Sequence, residues 1–200
     1  VTFDAVETVL YKITPSESID FSRLGVSSFD DIEDYPWART QINFLDSKNI
    51  VNKYSDWAYK PADKITRAEF AYFLVRTLGL TSDSGENFAD VDPNAFYAKE
   101  IAVGKALGIL NGVGENKYNP EAEISRQDLM TIVARGLGIT GETDLSAFSD
   151  SGLIADYAKG SVKAMISNGF IKGNADGTIN PVGNTTRAEA AVIMYRIYNR

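Results

Sequence analysis

The chain contains no cysteine and no histidine. Without thiols there is no disulfide and no thiolate nucleophile; without imidazole there is no Ser-His-Asp machinery, and zinc and haem lose their usual ligands. No cofactor is expected. Calcium alone stays open among metals, because it needs only oxygen and 27 carboxylates are present. Long apolar runs are also missing, and none approaches the ~18 residues of a membrane span. Basic residues are outnumbered, 20 against 27, leaving a net charge of −7. That disfavours nucleic acid and anionic membrane as partners, since both need basic surface. No signal peptide opens the chain, as expected of a mature or excised fragment. What is present is 44% apolar and 11% aromatic content over 200 residues. A soluble globular chain of this size hides roughly 70% of its unfolded surface.

The strongest internal signal is a repeat. Ile65-Thr66-Arg67-Ala68-Glu69-Phe70 returns as Ile124-Ser125-Arg126-Gln127-Asp128-Leu129 and again as Thr185-Thr186-Arg187-Ala188-Glu189-Ala190, at spacings of 59 and 61. Each copy reads as a helix start. Thr66, Ser125 and Thr186 stand at the N-cap, with Glu69, Asp128 and Glu189 three residues on to close a capping box, Asp128 being a shorter-armed substitute. Apolar residues follow at helical spacing: Phe70, Phe73, Leu74, Thr77 and Leu78; then Leu129, Ile132, Val133, Gly136 and Leu137; then Ala190, Ile193, Met194, Ile197 and Tyr198. Each helix has one face to bury.

Arg67, Arg126 and Arg187 stand at the first helical position, where the helix dipole is positive and a cation costs up to about 1 kcal/mol. One reading is that each pairs with a neighbouring carboxylate and pins the repeats together. The preferred reading is that the guanidinium and the helix's free N–H groups jointly face an anion.

A first helix precedes each capped one. The openings are Phe29-Asp30-Asp31-Ile32, Phe88-Ala89-Asp90-Val91 and Phe148-Ser149-Asp150, each followed by an aromatic, Trp37, Phe96 or Tyr157. The apolar sides carry Ala38, Ile42 and Leu45; Tyr97 and Ile101; and Ala158, Val162 and Met165. Asn49, Gly108 and Gly169 accept the left-handed conformation that ends a helix. A polar loop then leads to Tyr59-Lys60-Pro61, Tyr118-Asn119-Pro120 and Ile179-Asn180-Pro181, whose prolines read as loop geometry. The expected divisions are an extension over 1–25, in which Thr2 caps a short helix bearing Phe3, Val6, Leu10 and Ile13, and repeats over 26–82, 83–141 and 142–200.

The ordered run of Phe-x-Asp, aromatic, Gly-Ile-x-x-Gly, Tyr-x-Pro and Ile-Thr-Arg-Ala-Glu resembles the S-layer homology domain, in a set of three over about residues 26–200. The resemblance implies a mainly α fold of three helix-loop-helix repeats: a pseudo-threefold, three-pronged spindle around a central three-helix bundle. It implies a non-enzymatic module, part of a longer surface protein, at the cell surface. The implied partner is secondary cell-wall polysaccharide attached to peptidoglycan, with a pyruvate ketal on N-acetylmannosamine, held in grooves between the prongs. Carried onto this chain, Arg67, Arg126 and Arg187 meet the ligand carboxylate. Asp31, Asp90 and Asp150 accept from sugar hydroxyls or, equally, cap a loop. Trp37, Phe96 and Tyr157 can stack on a pyranose, although core packing is preferred. Gly112 and Gly173 let ligand approach the backbone, and Lys53 replaces that glycine in the first repeat. Each groove is expected to draw on two neighbouring repeats, and the grooves are not expected to bind equally.

Three rival readings stand beside this one. A glycan hydrolase would use paired carboxylates, but no acid stands in an apolar setting that would raise its pKa. A calcium loop at Asn174-Ala175-Asp176-Gly177 fails because Lys172 and Gly183 would fill the first and twelfth ligand positions, which leaves a tight turn. A self-assembling lattice module is compatible with glycan binding. Asn184-Thr185-Thr186 matches a glycosylation acceptor, but Thr186 is needed as a cap and the match is read as chance.

Overall fold

The computed structural model describes residues 29–200; the short helix expected within 1–25 lies outside them. Helices α1 (Pro36–Ser47) and α2 (Arg67–Thr77) belong to the first repeat, α3 (Ala98–Ala106) and α4 (Arg126–Leu137) to the second, and α5 (Asp156–Ser167) and α6 (Arg187–Tyr198) to the third. Pairing between extended segments is confined to isolated bridges among the described residues.

The first helices end as their turn residues dictate. Asn49, Gly108 and Gly169 adopt φ of 55°, 69° and 75°. That reversal lets the next amide reach back, Ile50 to Leu45, Ile109 to Gly104 and Phe170 to Met165, each at 2.9 Å. Ile50, Ile109 and Phe170 are thereby buried against the helix ends.

The second helices are capped, but not equally. Thr66 and Thr186 close full capping boxes with Glu69 and Glu189. Ser125 accepts from the Asp128 amide, yet the box is not completed, because the Asp side chain is one methylene too short to reach back to the cap's own N–H.

The segments before the capped helices hold the repeats together. The Ile65 amide donates to Thr185 O at 3.0 Å, Thr185 to Ile124 O at 3.4 Å and Ile124 to Ile65 O at 3.1 Å, closing a ring that joins the three repeats. The next two amides of each capped helix donate across a repeat boundary: Arg67 and Ala68 to Ala122 and Pro120, Arg126 and Gln127 to Gly183 and Pro181, Arg187 and Ala188 to Asp63 and Pro61. The prolines thus belong to inter-repeat docking as well as to loops.

Packing follows the same cyclic order. α2 lies on α3, α4 on α5, and α6 closes back onto α1, while α2 also contacts α4 and α6. Because α2 is enclosed from several sides, Phe70, Ala71, Phe73, Leu74 and Val75 are all buried. Ala38, Ile42, Leu45, Tyr97, Ile101, Ala158, Val162 and Met165 are buried as their spacing predicts. Tyr198, assigned to the apolar face of α6, is instead exposed at its C-terminal end.

Candidate functional site

Arg67 and Arg126 each line a groove that all three repeats build. Arg67 shares its groove with Asn111, Gly112 and Val113 of the second repeat's loop, with Asp128, Thr131, Ile132 and Arg135 of α4, and with Tyr157 of α5. Arg126 lies with Ile171, Lys172 and Gly173, with Glu189, Val192, Ile193 and Arg196 of α6, and with Trp37 of α1. The two-repeat expectation is therefore corrected: the cyclic packing of capped helices on first helices brings in a third repeat. The cavities are about 400 and 360 Å³, within the range of roughly 300–1,000 Å³ of ligand pockets. The Arg126 groove runs on into a second chamber of about 500 Å³ lined by Lys64, Asn174, Asn180 and Asn184. Cations outnumber acids along both grooves, on a chain whose net charge is −7.

The arginines are anchored through one edge. Arg67 Nε donates to Tyr118 O at 2.9 Å, with its guanidinium over the Tyr118 ring, and Nη2 makes a long bond of 3.4 Å to Asn111 O. Arg126 Nε donates to Ile179 O at 3.0 Å, and Nη1 lies 3.5 Å from Glu189 Oε1. The anchoring leaves part of each planar fork for a ligand. The helix N–H groups do not share in this, contrary to expectation. The first two are taken by carbonyls of the adjoining repeat and the third by the cap hydroxyl.

Arg187 differs. It is 0% exposed. Its Nε donates to Tyr59 O, Nη1 to both Asn52 Oδ1 and Glu69 Oε1, and Nη2 to Asn52 O. Its guanidinium lies over the Tyr54, Tyr59 and Phe73 rings. Tyr54, at the place of Val113 and Asn174, covers the site and donates to Glu69 Oε1 at 3.0 Å. Tyr72, at the place of Thr131 and Val192, fills more of it against Phe96 at 5.2 Å between ring centroids. The ligand role expected for Arg187 gives way here to the ion-pair reading.

Asp31, Asp90 and Asp150 do not line these grooves. Asp31 accepts from the Tyr59 and Lys60 amides, Asp90 from Tyr118 and Asn119, and Asp150 from Ile179 and Asn180, at 2.7–3.0 Å. Each carboxylate holds a loop whose Lys60, Asn119 or Asn180 is left-handed. Slight burial pushes the Asp90 carboxyl up, but the amide bonds prevail and hold it below its ordinary value. Gly112 and Gly173 line the grooves, yet packing alone demands glycine. A Cβ would meet Phe88 at 2.9 Å in the first case and Phe148 at 2.5 Å in the second, where φ is +78°.

The aromatics reverse the preferred expectation. Trp37, Phe96 and Tyr157 are 52%, 52% and 58% exposed rather than in the core. Tyr157 donates to Asp128 Oδ1 at 2.8 Å. Partial burial, then this bond, push its phenol up to about 12. Residues not singled out in the sequence are Arg135 and Arg196, one helical face along from Asp128 and Glu189, and the occluding Tyr54 and Tyr72. The 59- and 61-residue register locates all four once the grooves are known.

The S-layer homology domain profile matches residues 28–71, 87–130 and 147–191. The chain is 34% identical over 180 residues to an amylopullulanase of Thermoanaerobacterium thermosulfurigenes and, at the same identity and length, to exoglucanase XynX of Acetivibrio thermocellus. It is 29% identical over 178 residues to the surface-layer 125 kDa protein of Lysinibacillus sphaericus. These alignments cover 86%, 86% and 88% of this chain but only 10%, 16% and 15% of the relatives. Among the described residues no helix is long and apolar enough to cross a membrane. Three copies of one motif, cyclically packed around a shared centre, match that family throughout: the chain belongs to the S-layer homology family, the non-catalytic module by which bacterial surface proteins are anchored at the cell wall.

Proposed function

We propose that this chain tethers a larger surface protein to secondary cell-wall polysaccharide by binding its pyruvylated N-acetylmannosamine in the Arg67 and Arg126 grooves. The observation that carries this reading is a half-buried arginine, fixed by its Nε and by a ring or carboxylate neighbour, with fork donors left over beside an exposed aromatic. A carboxylate ketal on a pyranose fits both parts. The fork takes the carboxylate, Tyr157 or Trp37 lies against the sugar face, and loop amides and asparagines serve its hydroxyls. An acidic chain gains nothing from general attraction to an anionic polymer, so affinity must come from these focused donors.

The test is capture on purified wall polymer with and without its pyruvate groups. The reading expects retention on the first and loss on the second. Equal retention on both would show that the arginines do not read the ketal. No retention on either would remove the polysaccharide as partner and leave lattice self-assembly as the surviving reading.

A further inference from the structure

The acid three residues after each cap shares a site with a motif arginine of another repeat, and the three cases form a series. Glu69 meets Arg187 at 2.7 Å with both groups buried. Glu189 stands 3.5 Å from Arg126, with side chains 39% and 12% exposed. Arg67 pairs with no carboxylate among the described residues. Its neighbour Asp128 is one methylene shorter and is held elsewhere: Oδ2 accepts from the Ser125 hydroxyl and Oδ1 from the Tyr157 hydroxyl, both at 2.8 Å. Trp37 and Phe96, at the place of Tyr157, have no hydroxyl to hold an acid back.

A carboxylate already paired with a guanidinium occupies the donors a ligand carboxylate needs, and neutralises their charge. We propose that these internal acids compete with the ligand for the groove arginines, and that Tyr157 relieves the competition at Arg67 by holding Asp128 on its hydroxyl. The Arg67 groove then binds the anion tightest, the Arg126 groove more weakly, and the Arg187 groove not at all. Tyr157 acts here as a positioning residue as well as an aromatic surface. The inference rests on the proposed function only in taking the ligand to carry a carboxylate.

The experiment is calorimetric titration of the whole chain with synthetic pyruvylated N-acetylmannosamine, using Arg126→Ala to isolate the Arg67 groove and Arg67→Ala to isolate the other. With Arg126 removed, Tyr157→Phe keeps the ring and deletes the hydroxyl, and affinity is expected to fall about fivefold. Adding Asp128→Asn should abolish that difference, since no charged acid remains to be restrained. With Arg67 removed, Glu189→Gln keeps a box-forming side chain but drops the charge, and affinity is expected to rise about fivefold. If Tyr157→Phe costs the same with and without Asp128→Asn, the hydroxyl touches the ligand directly and the inference fails. If Glu189→Gln leaves affinity unchanged, there is no competition and it fails again, with the ligand reading intact. If wild type takes up no sugar, the ligand reading itself is overturned and the inference with it.

Discussion

Thr185 occupies the position that Ile65 and Ile124 hold in the other repeats, is fully buried, and has no hydrogen-bond partner for Oγ1. A buried unsatisfied hydroxyl costs about 1–3 kcal/mol. Thr185→Val, which keeps the branched shape, is expected to raise unfolding stability by about 1 kcal/mol in denaturant melts; a loss would mean that the hydroxyl is bonded in solution. The arginines carry the second prediction at this scale. Arg187→Ala would leave Glu69 buried without its cation, at a cost of about 3–5 kcal/mol, whereas Arg67, paired with no buried acid, should cost far less. Comparing the two by chemical denaturation tests the division, and equal losses would make Arg67 as structural as Arg187. Within their motifs the three arginines look alike. What separates them is a partner 118 residues away in sequence, Glu69 for Arg187, and a tyrosine in place of a valine or asparagine. The repeat register reveals such substitutions but not which side chain they cover.

At the scale of elements, what local rules govern was legible. The caps Thr66 and Thr186, the left-handed stops Asn49, Gly108 and Gly169, and the helical spacing of buried residues all follow from short-range chemistry. Removing Thr66 or Thr186 by alanine should cost about 1 kcal/mol in a thermal or denaturant melt; no change would mean that the inter-repeat amide bonds hold the helix starts unaided. Those amide bonds were not legible, because their acceptors, such as Pro120 for Ala68, lie on another repeat. For the same reason the helix N-termini are not the open anion sites that the dipole argument favours. Trp37, Phe96 and Tyr157 misled through composition: an aromatic near a helix start reads as core, and only the packing of α1, α3 and α5 on the preceding capped helix shows it on a groove wall.

For the whole molecule, the ring through Ile65, Ile124 and Thr185 and the closure of α6 onto α1 make the repeats interdependent. Residues 26–82 alone would lose the partners of α2 and of the Arg67 and Ala68 amides, and should show no cooperative thermal transition. A sharp reversible melt from that fragment would contradict this architecture. The same closure makes the grooves, since none exists without all three repeats, and it leaves two open and one filled by Tyr54 and Tyr72. The central claim is tested most directly by the stoichiometry of calorimetric titration with synthetic pyruvylated N-acetylmannosamine. Wild type should take up two sugars per chain, Arg67→Ala and Arg126→Ala one each, and the doubly substituted chain, folded by circular dichroism, none. Three sugars on wild type, or undiminished binding by the folded double variant, would contradict it.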